Sequence, residues 1–390
     1  MAVKVSRKIE MVDLVSQYEN IKEEIDSAIG DVIHSARFIN GPAVKEFQAD
    51  LEKYLDVKHV IPCANGTDAL QVSMMALGLQ KGDEVITSNF TFAATVETIA
   101  FLGLVPIIVD VDADTFNIDV KEIENAITPK TKAIVPVHLF GQCADMEPIL
   151  VLAKKNNLFV IEDTAQAIGA EYFFADGKKK KAGTIGNIGT TSFFPSKNLG
   201  AYGDAGALFT NDDELARKCR MIVNHGMSTQ YNYEILGVNS RLDSIQAAIL
   251  KVKLKYLDKY AADRNKAAAY YDNAFSPLSL GRGVGGEVKI TTPVRAKNST
   301  HVFHQYTLQL NGVDRNKLKE HLASKEIPAM IYYPVPLHSQ KAYIHKRNAN
   351  RKYPVTDKLC ASVISLPMHT ELNEEILKHI SGSVLEFINK

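Results

Sequence analysis

Tryptophan is absent from this chain of 390 residues, and cysteine occurs only four times, at Cys63, Cys143, Cys219 and Cys360, with no CxxC pair among them. That scatter argues against a zinc ribbon and against a disulfide framework, and predicts reduced thiols in or near a core. Net charge is missing as well, since 45 Lys and Arg balance 45 Asp and Glu. The chain therefore lacks the electrostatic footprint of a nucleic-acid binder and of a polybasic membrane-surface protein. No apolar run approaches the roughly 18 uninterrupted residues of a spanning helix. The opening MAVKVSRKIE is charged, with no apolar stretch behind it, so the expected location is the cytoplasm. What is present, 46% hydrophobic and 23% charged residues, is the profile of a soluble globular protein of two or three domains.

From about Lys81 onward, short apolar runs rich in β-branched residues alternate with longer amphipathic stretches. EVITS (84–88), VPIIVDV (105–111), KAIVPVHLFG (132–141) and LFVIED (158–163) read as strands. FAATVETIAFLG (92–103), VKEIENAI (120–127) and DMEPILVLAKKNN (145–157) read as helices, the last with a carboxylate at its start and lysines in its last turn. Such alternation predicts an α/β fold, a largely parallel buried sheet with helices on both faces. After Arg241, residues 242–275 look like one or two helices leading into a second unit, and the Gly-rich stretch 276–289 like a loop. HVFHQYTLQL (301–310), RNKLKEHLAS (315–324) and PAMIYYPV (328–335) read as strand, helix and strand, and 371–389 as a final helix. The expected division is a large domain over 1–260 and a small C-terminal α+β domain over 261–390. KKKK (178–181) reads as a solvated hairpin tip, with anion binding as the alternative.

In open α/β sheets ligands gather at the carboxyl ends of strands, where three polar clusters fall: CANGTDAL (63–70), IEDTAQAIGA (161–170) and TSFFPSKNLGAYGDAGAL (191–208). In the third, Lys197 is a lone ammonium in a Gly-lined loop, suited to a Schiff base with an aldehyde, to a phosphate contact or to the surface. Ser192, just upstream, offers a hydroxyl to a phosphate. Asp163 ends a buried strand, where an acid needs a positive partner such as a protonated pyridine nitrogen, or else caps a helix over TAQAIGA. Its neighbour Glu162 is expected to face solvent. In NGTDAL, Asn65 and Gly66 tolerate positive φ while Thr67 and Asp68 can cap the next helix, whose exposed amides suit phosphate or are an ordinary cap. Phe92 suits stacking on a flat ring or core packing. His301 and His304, three apart on a strand, would face opposite ways, so no metal site is expected.

Taken together, NGTDAL, GDEVITSNFTFAAT, EDTAQAIGA, SFFPSKNLGAYGDAGA and GVNSRLDSIQAAIL (237–250) resemble the DegT/DnrJ/EryC1/StrS family, the sugar aminotransferases of aspartate-aminotransferase fold type I that use pyridoxal 5'-phosphate. The resemblance implies that Lys197 carries the cofactor as a Schiff base and then moves protons, while Asp163 keeps the ring nitrogen protonated. It places Gln166 and Phe92 against the ring, Gly66, Thr67 and Ser192 on the phosphate with Asp68 shaping that turn, and Asn239 on the phosphate of the neighbouring protomer in a homodimer with shared sites. The stretches IEMVDLVSQYENIKEEID, VPVHLFGQCADM, YYPVPLHSQKAY and SLPMHTEL are similar to those of enzymes that aminate C3 of a UDP-linked 3-keto-2-acetamido-hexuronate from L-glutamate, for surface polysaccharides. The GRGVGGEVK stretch departs from that pattern. The alternatives are a dTDP-3-keto-6-deoxyhexose or 4-keto sugar nucleotide, and a non-catalytic regulator of the same fold. A sugar dehydratase of this family would carry histidine in place of Lys197, and a nicotinamide oxidoreductase would carry an early GxGxxG, which is lacking.

Overall fold

The computed structural model describes residues 8–279 and 289–389. Its centre is a seven-stranded sheet in the order His59–Cys63, Gly206–Thr210, Ile188–Ser192, Phe159–Asp163, Thr131–Val135, Glu84–Ser88, Val105–Val109. Every adjacent pair is parallel except the two made by Gly206–Thr210, so one strand runs against the other six. Helices cover both faces, which is why Val85, Ile86, Ala133 and Ile134 are all buried and the strands read as unbroken apolar runs. The helices start where capping chemistry allows. Asp212 Oδ1 accepts from Glu214 N and Leu215 N before Asp213–Ile222, and Asn157 in the left-handed region ends Met146–Asn156.

Residues 242–275 form two helices, Ser244–Leu254 and Leu257–Ser279. The second links two cores: Leu257 packs with Phe47 and Phe209, while Tyr271 and Phe275 pack with Phe303, Leu308, Leu318 and Val384. The second core lies on an antiparallel sheet, Ile290–Thr291, Tyr306–Leu310 and Val363–Leu366, with helices Arg315–Ala323 and Glu374–Ile388 against it.

Several local expectations are corrected. PAMIYYPV is not a strand, and its one ladder contact is an isolated bridge from Met330 to Ser365. Pro334 and Pro336 remove backbone donors there, and Val363–Leu366 takes the place in the sheet. Strand structure begins only at Tyr306, because residues 301–305 turn against Gly141, with Phe303 at φ 45°. The Thr131–Val135 strand stops before Pro136, and Leu139–Gly141 is a short 3₁₀ turn. Lys179–Lys181 is a strand paired with Glu171–Phe173 and not a tip, and Lys179 and Lys181 both ion-pair with Glu171. The expected loop at 276–289 is helical to Ser279, and 280–288 lie outside the described residues, as do 1–7. All four cysteines are free and buried. Among the described residues no helix is long and apolar enough to cross a membrane.

Candidate active site

The strands ending at Cys63, Ser88, Asp163 and Ser192 run the same way, so their carboxyl ends open onto one edge of the sheet. A cleft of about 660 Å³ sits there, and Gly66, Thr67, Asp68, Phe92, Asp163, Gln166, Ser192 and Lys197 all line it.

Asp163 is buried, with Thr95 Oγ1 donating to Oδ2 at 2.9 Å and Ala165 N to Oδ1 at 3.1 Å. No helix follows it, since 165–169 is a turn, so the capping alternative falls. Burial pushes its carboxyl above the usual range, opposed by the Ala165 amide, the Thr95 hydroxyl and the charge of Lys197. A full positive charge close to its oxygens is therefore what would hold it ionised.

Lys197 follows the strand Ile188–Ser192 through a loop with little freedom. Phe193 packs edge-on to Phe47 at 5.6 Å, and Ala201 N donates to Phe193 O at 2.7 Å. A Cβ on Gly200 would lie 2.2 Å from Pro195 O, so only glycine lets the loop fold back. Burial brings the Lys197 ammonium down from 10.5 to about 8, and the charge of Asp163 opposes that fall. Near neutral pH a useful fraction of this amine is thus unprotonated.

Beside the end of the strand Ile188–Ser192 the helix Gly66–Ala76 begins. Its cap is Asn65, whose side chain accepts from Asp68 N at 2.8 Å, and not Thr67 or Asp68. Neither Asn65 nor Gly66 has positive φ. Gly66 is required for a different reason: a Cβ there would sit 2.6 Å from the Ser192 Cβ, so its absence lets the helix start and the strand end meet. The first-turn amides and the Ser192 hydroxyl thus share one corner, a place for an anion.

Phe92 is 60% exposed on the cleft wall, which rules out core packing. Gln166 is held at both ends, with Phe140 N donating to Oε1 at 2.8 Å and Nε2 donating to the Tyr333 hydroxyl at 3.2 Å. Asn239 is exposed and outside the cleft of its own chain, bridged to Asn224, and the cap of the next helix is Asp243. Its expected phosphate contact is therefore not made within one chain.

The solvent-facing role expected of Glu162 is overturned. It is 0% exposed and accepts from Gly183 N, Ile185 N, Gly186 N and His138 Nε2 at 2.6–2.9 Å. Ala144 N donates to His138 Nδ1, so the ring hydrogen sits on Nε2 and points at Glu162. Both faces of this central strand are covered, which alternation alone did not reveal.

Sequence reasoning missed Thr95, Asp204, His304 and Gln305 as cleft residues, and gave Tyr332 and Tyr333 no place in the cleft. The YYPVP run was the available signal for the tyrosines. His304 Nδ1 is buried without a partner, and burial with the charges of Lys197 and Arg264 holds this ring well below the usual histidine range. His301 stacks on Phe303 at 3.8 Å and accepts Phe303 N, away from His304. Among the described residues no three His, Cys, Asp or Glu side chains are grouped to hold a metal.

The chain is 44% identical to the UDP-2-acetamido-2-deoxy-3-oxo-D-glucuronate aminotransferase of Pseudomonas aeruginosa, covering 96% of this chain and 99% of that one. It is 46% identical to a protein of Geobacillus stearothermophilus described as a pleiotropic regulatory protein, covering 97% and 98%. Among solved structures, it superposes with a TM-score of 0.91 on a DegT DnrJ EryC1 StrS aminotransferase from Brucella abortus, at 39% identity and 98% and 100% coverage. For ntda from Bacillus subtilis, solved with bound cofactor PMP, the TM-score is 0.89 at 32% identity, with 99% and 87% coverage. These likenesses span both cores and every wall of the cleft, and the family profile itself matches residues 19–385, so the chain belongs to the DegT/DnrJ/EryC1/StrS aminotransferase family.

Proposed function

We propose that this protein is a pyridoxal-phosphate-dependent aminotransferase that moves an amino group from L-glutamate to C3 of a UDP-linked 3-keto-2-acetamido-hexuronate. The observation that carries the reading is that one cleft brings together a desolvated Lys197, brought down to about 8, and a buried Asp163 with a single donor on each oxygen. The corner of the cleft where the start of the helix Gly66–Ala76 meets Ser192 fits the phosphate, because first-turn amides and a hydroxyl are gathered there. When bound, pyridoxal phosphate supplies a sink for the electrons released from a carbon–hydrogen bond.

The residues of the chain do the rest. Lys197 Nζ would hold the cofactor and would carry a proton from the amino-bearing carbon of glutamate to the cofactor in one half of the cycle, and from the cofactor to C3 of the sugar in the other. Asp163 holds the proton on the ring nitrogen, and Thr95 and Ala165 N fix the direction of its carboxylate. Gln166, tethered to Phe140 N and Tyr333, bounds one side of the ring and Phe92 the other face. Gly66, Thr67 and Ser192 take the phosphate, and Asp68 shapes that turn. Asn239, exposed in its own chain, reaches the phosphate of a neighbouring protomer, which makes the homodimer obligatory. The division near residue 260 into a cofactor-binding domain and a small domain, a cytoplasmic location and a role in surface polysaccharide synthesis belong to the same reading.

The substrate class is supported by the Pseudomonas relative and by a 43% identical UDP-N-acetyl-3-dehydro-alpha-D-glucosamine 3-aminotransferase of Acidithiobacillus ferrooxidans. A panel of UDP- and dTDP-linked 3-keto and 4-keto sugars with glutamate tests it, read as 2-oxoglutarate release. The 3-keto uronate is expected to give the highest kcat/KM, with ping-pong kinetics; preference for a 4-keto-6-deoxy sugar would overturn the assignment. The Geobacillus relative's description favours a second reading, a regulator. Absence of turnover with every sugar, together with no borohydride-trapped pyridoxyl group on Lys197, would favour it. For the shared site, Lys197→Ala exchanged at equal amounts with Asn239→Ala should regain activity toward about a quarter of wild type, since about half the dimers are then mixed and one site of each carries neither lesion.

A further inference from the structure

A second hollow, about 500 Å³, lies outside the cleft in the connection between the helices Lys22–Ser35 and Pro42–Leu55. Arg37, Phe38, Ile39, Asn40 and Lys45 line it and all are exposed. Neither Arg37 nor Lys45 is ion-paired among the described residues, and no acid lines the hollow. In a chain of zero net charge, two unopposed cations beside an aromatic ring in one concavity suit an organic phosphate.

The main cleft has the opposite deficit. Its lining includes Asp68, Asp163 and Asp204 but a single amine, Lys197, which the cofactor would occupy, and His304 is held neutral. A nucleotide sugar brings a diphosphate, and a uronate adds a carboxylate, so the cleft of one chain lacks the charges its substrate requires. The hollow is also fastened to the segment that carries Asn239. Ser244 N donates to Phe38 O at 2.9 Å, Gly41 N donates to Ser244 Oγ at 3.1 Å, and Ile39 bridges Asp243. A Cβ on Gly41 would strike Arg37 O at 2.4 Å, so Arg37 is presented by a closely packed turn and Lys45 by the helix Pro42–Leu55 that follows it.

Resting on the aminotransferase reading above, we infer that Arg37 and Lys45 of one protomer bind the diphosphate of the nucleotide sugar held in the cleft of its partner. Phe38 and Ile39 then offer apolar surface to the nucleoside.

The test is the double variant Arg37→Gln/Lys45→Gln, made at exposed positions where the fold is expected to survive; far-UV circular dichroism checks this. Loss of two charge-assisted contacts should raise the KM for the nucleotide sugar on the order of 10²-fold, and weaken inhibition by UDP alike, relative to the KM for glutamate. Unchanged values for both would overturn the inference while leaving the aminotransferase reading intact. If wild type turns over no nucleotide sugar, the aminotransferase reading fails, and calorimetric UDP binding still decides the hollow: weaker binding in the double variant supports it, equal binding overturns it. Mixing the double variant with Lys197→Ala at substrate well below KM should restore activity, because one site then has an intact lysine and an intact neighbouring hollow. No restoration would overturn the shared arrangement.

Discussion

Glu162 and Asp163 are consecutive, both buried, and both on the central strand Phe159–Asp163, yet they face different surroundings. Glu162 points to the covered face, where three backbone amides and His138 Nε2 fill its two oxygens. Asp163 points to the cleft with one donor on each oxygen and capacity to spare. A carboxylate accepts about four hydrogen bonds. The saturated acid is therefore architectural and the unsaturated one is available to a ligand. Burial marks both, and only the count of satisfied lone pairs separates them.

Four substitutions would break or sharpen that contrast. The largest effect is expected for Lys197→Ala, which on the proposed reading removes both cofactor attachment and proton transfer and should lower kcat by about 10⁴-fold or more, measured as 2-oxoglutarate formation. The same variant without cofactor should melt at a higher temperature. The folded state lowers this amine to about 8 from 10.5, so its burial penalty is fully present below pH 8 and fades as pH rises toward 10.5. The gain in melting temperature should fade likewise.

Next is Glu162→Ala, which strands three amides and a histidine and should cost about 3–5 kcal/mol of stability, read by urea unfolding. The folded enzyme should keep kcat within a few-fold; a kcat collapse at full stability would reverse the roles assigned to the two acids. Asp163→Asn should do the converse, losing on the order of 10² in kcat, near 3 kcal/mol, while keeping the cofactor and a melting temperature close to wild type. Near-normal turnover would remove Asp163 from the chemistry. The smallest effect is Thr95→Val, which frees one carboxylate oxygen and should lower kcat several-fold, about 1 kcal/mol for one hydrogen bond. No change at all would mean that Ala165 N alone orients Asp163.

The sheet was legible because its strands are continuous apolar runs and the helices between them keep their own period. The predicted cleft residues Gly66, Thr67, Asp68, Phe92, Asp163, Gln166, Ser192 and Lys197 were legible too, since polar clusters directly after such runs must gather at one edge of a parallel sheet, and all of them line the cleft. The second sheet was harder. PAMIYYPV has strand composition and lost its place to Val363–Leu366, because pairing with Tyr306–Leu310 is settled by partners some sixty residues away in the chain, with Ser365 opposite Thr307. Thr95 and His304 were missed for a related reason: neither stands in a polar cluster, and only folding brings them to the cleft.

The sequence alone determined that apolar strands alternate with amphipathic helices and which short motifs would stand at their carboxyl ends, because both properties reside in a few neighbouring residues. Only the tertiary structure decided that Glu162 is enclosed while Asp163 is open, and that Gly66 is needed for its contact with Ser192 and not for its backbone angle. It also decided that Phe92 stands out of the core and Asn239 outside the cleft. Each of these depends on what a distant segment places against the residue, and no local pattern carries that information.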